Sequence, residues 1–146
     1  MTFSGKKYET LKRSDFFRSL PDSDLTALAE SMQIETFDNG ERVCSAGDVA
    51  DRVFVVMSGS LNANLPGQDA PVRIMQAGDV IGEYGLFAEE VRSADVICTA
   101  QSDLMSLDYS RFEAFLELFP NTTYALLKQT VRRLLALERR EQKQDQ

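Results

Sequence analysis

No histidine occurs anywhere in the 146 residues. That excludes histidine-based catalytic triads, the usual zinc sites and any imidazole pH switch. An enzyme built from this chain would have to work with carboxylates, hydroxyls and thiols alone. Cysteine is scarce. Cys44 and Cys98 each sit in an apolar, strand-like stretch and read as free thiols of a reducing compartment rather than a disulfide. Long apolar runs are also missing: no stretch approaches the roughly 18 residues of a membrane helix. The opening "MTFSGKKYETLKRSDFF" lacks the apolar core of a signal peptide. These absences point to a cytoplasmic protein without a membrane span.

Lysine is absent from the whole middle of the chain. Residues 21–120 hold five arginines against eighteen acids, whereas residues 1–20 hold five basic residues against two acidic, and residues 121–146 six against three. The net charge of −7 therefore hides a strongly acidic centre, which repels nucleic acid phosphates and argues against direct DNA or RNA binding. It also makes each central arginine a question. Arg42, Arg52, Arg73 and Arg111 read as solvated strand or helix charges. Arg132, Arg133, Arg139 and Arg140 scatter around the faces of a helix and read as solvated or dimer-rim residues rather than a DNA patch.

What is present is an ordinary globular composition, 43% hydrophobic and 27% charged, with two kinds of periodicity. Residues 14–32 read as helical with a break at Pro21; Leu25, Leu28, Ala29 and Met32 then recur at helical spacing. From about residue 34 the period becomes two, with turn signals at Asn39-Gly40, Gly47-Asp48, Ser58-Gly59 and Pro66-Gly67. The spacing predicts seven or eight short antiparallel strands in a sandwich or barrel. At Ser110 the helical period returns: a short helix over 110–119, a break at Pro120, and a longer helix from about 121 to 140 capped by Asn121 or Thr122. Along it Tyr124, Leu127, Val131 and Leu134 form a coiled-coil seam beside a second row, Leu126, Thr130 and Leu137. The polar tail from Glu141 is expected to fray.

One connection is longer than a strand turn needs. "GDVIGEYGLFAEEVRSADV" (78–96) spends three glycines, a glutamate in an apolar setting and an arginine between two strands. Gly82 lets a backbone or ligand approach closely because it has no Cβ. "GLFAEE" (85–90) is long enough for one helical turn whose free amides at residues 84–86 would face an anion. Glu83 supplies a carboxylate acceptor, Arg92 a guanidinium fork and Ser93 a hydroxyl. An anion site beside a single acceptor fits a phosphate joined to a sugar hydroxyl.

The chain resembles the cyclic nucleotide-binding domains, nearest to the sensor half of the catabolite activator protein type. "FDNGERVCSAGDVADRVFVVMSGSL" (37–61) is similar to the family's glycine turns and strand, "GDVIGEYGLFAEEVRSA" (78–94) to its phosphate-binding cassette, and "RFEAFLELFPNTTYALLKQTVRRL" (111–134) to its helices B and C. The resemblance implies a single, mainly β domain. N-terminal helices (1–33) would precede an antiparallel jelly-roll-like barrel, or double-stranded β-helix (34–109), with a cassette at 80–94. Helices B and C (110–140) and a polar tail (141–146) would follow.

In that reading Arg92 pairs with the cyclic phosphate, helped by Ser93 and backbone amides at Gly85 and Leu86. Glu83 accepts the ribose 2′-hydroxyl, with the backbone of Gly82 and Tyr84 beside it. The base lies between the barrel and the long helix. Catabolite activators place two hydroxyl residues there, but the count from Arg92 puts Leu137 and Glu138 at those positions, so the base contacts depart from the pattern. The implied ligand is cyclic AMP, with cyclic GMP as the alternative, and no other cofactor or metal.

The resemblance further implies homodimerisation through the helix at 122–140. The chain contains no helix-turn-helix segment, so output is expected to pass to a separate protein effector. Three other readings compete. Glu83 and Arg92 could be a structural ion pair. The fold could have lost its ligand and serve only as an interaction or dimerisation module. A cupin-like enzyme could use Glu83, Glu89 or Glu90, although without histidine it lacks the usual cupin metal site.

Overall fold

In the computed structural model of the chain, residues 3–88 and 91–144 are described, residues 3, 4, 84, 86, 87, 143 and 144 by their backbone alone. Helix α1 (Phe3–Arg13) ends in Lys12 and Arg13, which complement its C-terminal dipole. After turns through residues 14–20, Pro21 at φ −54° leads into α2 (Asp22–Ser31), whose first turn carries Asp22 and Asp24. Asp22 ties the two helices together. It pairs with Lys12 at 2.9 Å and accepts a hydrogen bond from the Tyr8 hydroxyl at 3.1 Å.

Eight strands follow: β1 (Gln33–Phe37), β2 (Arg42–Cys44), β3 (Arg52–Ser58), β4 (Leu61–Asn64), β5 (Arg73–Met75), β6 (Val80–Ile81), β7 (Asp95–Cys98) and β8 (Ser102–Asp108). The short helix α3 (Glu83–Ala88) interrupts them after β6; α4 (Tyr109–Leu118) and α5 (Pro120–Gln144) close the chain. Every strand pairing is antiparallel.

The strands do not close into a barrel. They form two separate four-stranded sheets, ordered β1-β8-β3-β6 and β2-β7-β4-β5, which corrects the jelly-roll expectation. The edges explain why. β2 and β5 have three residues and β6 only two, and the β2–β7 register is broken between Arg42 and Cys44. Such short edges leave little backbone for a closing ladder. The sheets are instead held face to face by side chains. The domain is also less dominated by strands than expected, since more residues lie in helices than in strands.

β3 shows how the alternation serves two cores. Phe54 and Val56 point between the sheets, among Leu61, Met75, Ile81 and Leu104. Val53 and Val55 point the other way, onto Leu11, Phe17, Leu28 and Phe112 from the helices. Each of these side chains is at most 7% exposed, so each contributes about 1.5–3 kcal/mol of apolar burial. Cys44 and Cys98 are free thiols, as expected.

α5 begins at Pro120, a residue suited to a first helical turn. Thr122, expected as a cap, is fully buried and donates its hydroxyl to Asp24 Oδ2 at 2.8 Å, pinning the start of α5 to α2. Beyond Leu126 the helix leaves the body; only Gln129 and Arg133 remain half-buried up to Gln142. It stays helical to Gln144, past the point where fraying was expected. Tyr124, Leu127, Val131 and Leu134 of the anticipated seam are 46–63% exposed. No helix among the described residues is long and apolar enough to cross a membrane.

Candidate functional site

The site begins where β6 ends. β6 pairs with β3 at Val55↔Val80 and Phe54↔Ile81, and the chain leaves the sheet at Gly82 with φ +94°. That conformation favours glycine, and space demands it as well. A Cβ at position 82 would overlap the Arg92 Nη1 atom and lie 2.9 Å from the Arg52 carbonyl oxygen. The close approach read from the sequence is therefore real, but its partner here is the chain's own guanidinium.

Arg92 is fixed at both ends. Its backbone N–H donates to Asp48 O at 2.9 Å, and its carbonyl accepts from Gly47 N at 2.8 Å, which seats it on the 45–48 turn. Asp48 and Asp95 brace that turn, Ser45 N donating to Asp48 Oδ2 at 3.0 Å and Ala46 N to Asp95 Oδ1 at 2.8 Å. The Arg92 Nη2 group donates to Arg52 O at 2.6 Å. The guanidiniums of Arg92 and Arg52 lie 6.0 and 5.9 Å from the centre of the buried Phe54 ring, near the limit of a cation–π contact. Arg52 is neutralised by Glu35 Oε1 at 2.8 Å. Among the described residues no carboxylate pairs with Arg92, whose charge meets only a neutral carbonyl. Arg52, read from the sequence as a solvated charge, is thus part of the site through its backbone. Arg92 borders a cavity of about 660 Å³ lined also by Phe37, Cys44, Asp48, Arg52 and Phe54.

Glu83 opens α3 and is only 4% exposed. Burial pushes its carboxyl above the ordinary range, opposed by its own backbone N–H and by the charges of Arg133, Arg73 and Arg92. Glu83 and Arg92 therefore sense each other without pairing, so the structural ion pair considered from the sequence is not made. The basic residue nearest Glu83 Oε1 is Arg133, whose Nη2 stands 4.0 Å away at the outer limit of an ion pair. Glu83 faces a groove of about 730 Å³ under α5, lined also by Phe16, Leu126, Thr130, Arg133 and Leu137.

The structure thus brings Gly82, Glu83 and Arg92 together, with Gly85 half-buried within α3. Leu137 borders the groove at Glu83, whereas Glu138 is exposed and outside it, and Ser93 is exposed. The side chains of Tyr84, Leu86 and Phe87 and the whole of Glu89 and Glu90 lie outside the described residues. Sequence reasoning missed Arg133, taken as a solvated charge. The available signal was position: Leu126, Thr130, Arg133 and Leu137 follow one another at 4, 3 and 4, a single helical face. Tyr109 was missed too. It starts α4, and its hydroxyl donates to the Gly82 carbonyl.

The profile of the family described as "Cyclic nucleotide-binding domain" matches residues 34–118, from β1 through α4. The cAMP-dependent protein kinase type II regulatory subunit of Drosophila melanogaster is 32% identical over 115 residues, covering 76% of this chain and 30% of that protein. A cGMP-dependent protein kinase of Caenorhabditis elegans is 29% identical over 107 residues, covering 70% of this chain and 14% of that protein. Among solved structures, the N-terminal domain of a transcriptional regulator from Streptomyces coelicolor A3(2) superposes with a TM-score of 0.81 at 27% identity, covering 88% of this chain and 94% of that one. The chain spans less than a third of the length of either kinase-linked relative.

Proposed function

We propose that this chain, which belongs to the cyclic nucleotide-binding domain family, is a receptor module that binds cyclic AMP and passes the event through α5 to a separate protein. Its fold is that of regulatory domains rather than catalytic ones. One observation carries the ligand reading: a guanidinium without a carboxylate partner among the described residues, Arg92, stands against Gly82, directly before a buried carboxylate, Glu83. Arg92 would take the cyclic phosphate, with Ser93 and the backbone amides of Gly85 and Leu86 assisting. Glu83 would accept the ribose hydroxyl beside the Gly82 and Tyr84 backbone. Leu137 would pack on the base from α5. Glu138 would reach it only if α5 turned as it closed over the ligand. The differential contacts of the bound ligand would supply the free energy for that closure.

Cyclic AMP is favoured over cyclic GMP by the likeness of the cassette to bacterial cyclic AMP sensors. The acidic centre argues against direct DNA contact. The exposed row Tyr124, Leu127, Val131 and Leu134 supports a homodimer, since Val at one seam position and Leu at the next suits two parallel strands. Two free thiols suit the cytoplasm.

Isothermal titration calorimetry with cyclic AMP and cyclic GMP, on protein stripped of copurified ligand, tests the reading. Saturable binding at one site per chain supports it, and the ratio of affinities decides the base. A folded sample that takes up neither nucleotide refutes it and leaves α5 as an interaction surface.

A further inference from the structure

Four chain segments distant in sequence meet around the Arg92 guanidinium. Gly82 comes from the end of β6, Arg52 from the start of β3, Arg92 from the loop before β7, and Tyr109 from the junction of β8 and α4. Their bonds interlock. The Tyr109 backbone N–H donates to Asp51 O at 2.9 Å, fixing the tyrosine against the start of β3. Its hydroxyl donates to Gly82 O. The peptide so held is the one whose Cα packs onto Arg92 Nη1 without room for a Cβ. Arg92 Nη2 in turn donates to Arg52 O, the carbonyl next along from the one Tyr109 uses.

We infer that Tyr109 is a positioning residue for the anion site: its hydroxyl holds the Gly82 carbonyl and so sets the surface against which the Arg92 guanidinium is aimed. The phenol suits the task. Burial holds it above its ordinary titration range, so it remains a donor at neutral pH. The ring is half-buried, and its charge neighbours, Arg92, Glu83, Asp51 and Cys44, include the proposed phosphate and ribose contacts Arg92 and Glu83. Without the hydroxyl, Gly82 O loses its side-chain partner, and the hold on the peptide that packs against Arg92 weakens. The affinity consequence rests on the receptor reading above; the positioning itself does not.

Tyr109→Phe removes one oxygen and keeps the ring. Two measurements separate the possibilities. The first is the Nε–Hε resonance of Arg92 in the ligand-free protein, identified by its loss in Arg92→Ala. The second is cyclic AMP affinity. We expect Tyr109→Phe to shift or broaden the Arg92 resonance and weaken cyclic AMP about five- to tenfold. Thr122→Val, which removes a buried hydrogen bond between α2 and α5 and belongs to none of the four segments around Arg92, should leave the resonance unchanged and so excludes general loosening. An unchanged Arg92 resonance in Tyr109→Phe overturns the inference, as does unchanged affinity in a protein that binds cyclic AMP. If wild type binds no cyclic nucleotide while the resonance still moves, positioning stands and the receptor reading falls.

Discussion

Gly82 and Arg92 occupy one space: the Cβ that any other residue would carry at position 82 overlaps the arginine's Nη1. The two positions lie ten residues apart in sequence, and a side chain at 82 has room only if the guanidinium moves away. Gly82→Ala therefore acts twice. It forces an L-residue to φ +94° and drives the guanidinium off Arg52 O. We expect a loss of about 1–3 kcal/mol in folding stability, read by urea denaturation, together with loss of ligand affinity. Wild-type stability and affinity in this variant would mean that the backbone there rearranges freely.

Arg92→Ala tests the phosphate contact. Removing the guanidinium leaves a bound phosphate without its counter-charge. We expect about 2–4 kcal/mol less binding free energy for cyclic AMP by calorimetry. Folding should change little, because the side chain donates one hydrogen bond to a neutral carbonyl. Equal affinities in wild type and variant would end the assignment.

Glu83 links pH to stability. Its carboxyl is raised by burial in the folded protein, so the folded state holds that proton more tightly than the unfolded one. The stability this provides is complete below the ordinary carboxylate value of 4.5 and is lost as pH rises through the folded value. At neutral pH the ionised group is a burden. We expect Glu83→Gln to raise the ligand-free Tm at pH 7, with an advantage that shrinks as pH falls towards 4.5. The same substitution should weaken cyclic AMP. A Tm difference that grows on acidification would contradict the burial argument.

Thr122→Val removes the hydroxyl that satisfies the buried Asp24. An underpartnered buried carboxylate costs about 1–3 kcal/mol. We expect that loss by denaturation, with hydrogen exchange accelerated in the first turns of α5 and unchanged in β3 and β8. Uniform acceleration would show that the pair supports the whole fold rather than the seat of α5.

Leu134→Glu places a charge in the exposed seam. We expect sedimentation to shift from dimer to monomer while the fold, read by circular dichroism, is kept. A wild-type protein that is monomeric at high concentration would dismiss the dimer at once.

Much of the site was legible because its signals are local. A glycine, an acid next to it and an arginine one short helical excursion later define the loop wherever the strands run, and Gly82, Glu83 and Arg92 do meet. Arg133, Arg52 and Tyr109 were not read. The part of Arg52 that matters is a backbone carbonyl, which no side-chain pattern reveals. Tyr109 acts across 27 residues through one hydroxyl. Arg133 did carry a signal, its place on the Leu126–Thr130–Leu137 face, which its charge masked.

By itself the sequence determined most of the elements: alternation set the strands and helical spacing set α2, α4 and α5, because both periodicities follow from neighbouring dihedral angles, whereas residues 14–20, read as helical, form turns after α1. It also determined the free thiols and the acidic centre. Only the tertiary structure decided that the strands form two open sheets rather than a barrel. Strand pairing joins segments as distant as Gln33 and Ser106, and closure depends on whether edge strands of two to five residues meet each other. It likewise decided that Arg92 rests on a backbone carbonyl and Glu83 under α5. Which buried charge finds which partner depends on the packing of whole elements, and no local pattern encodes that.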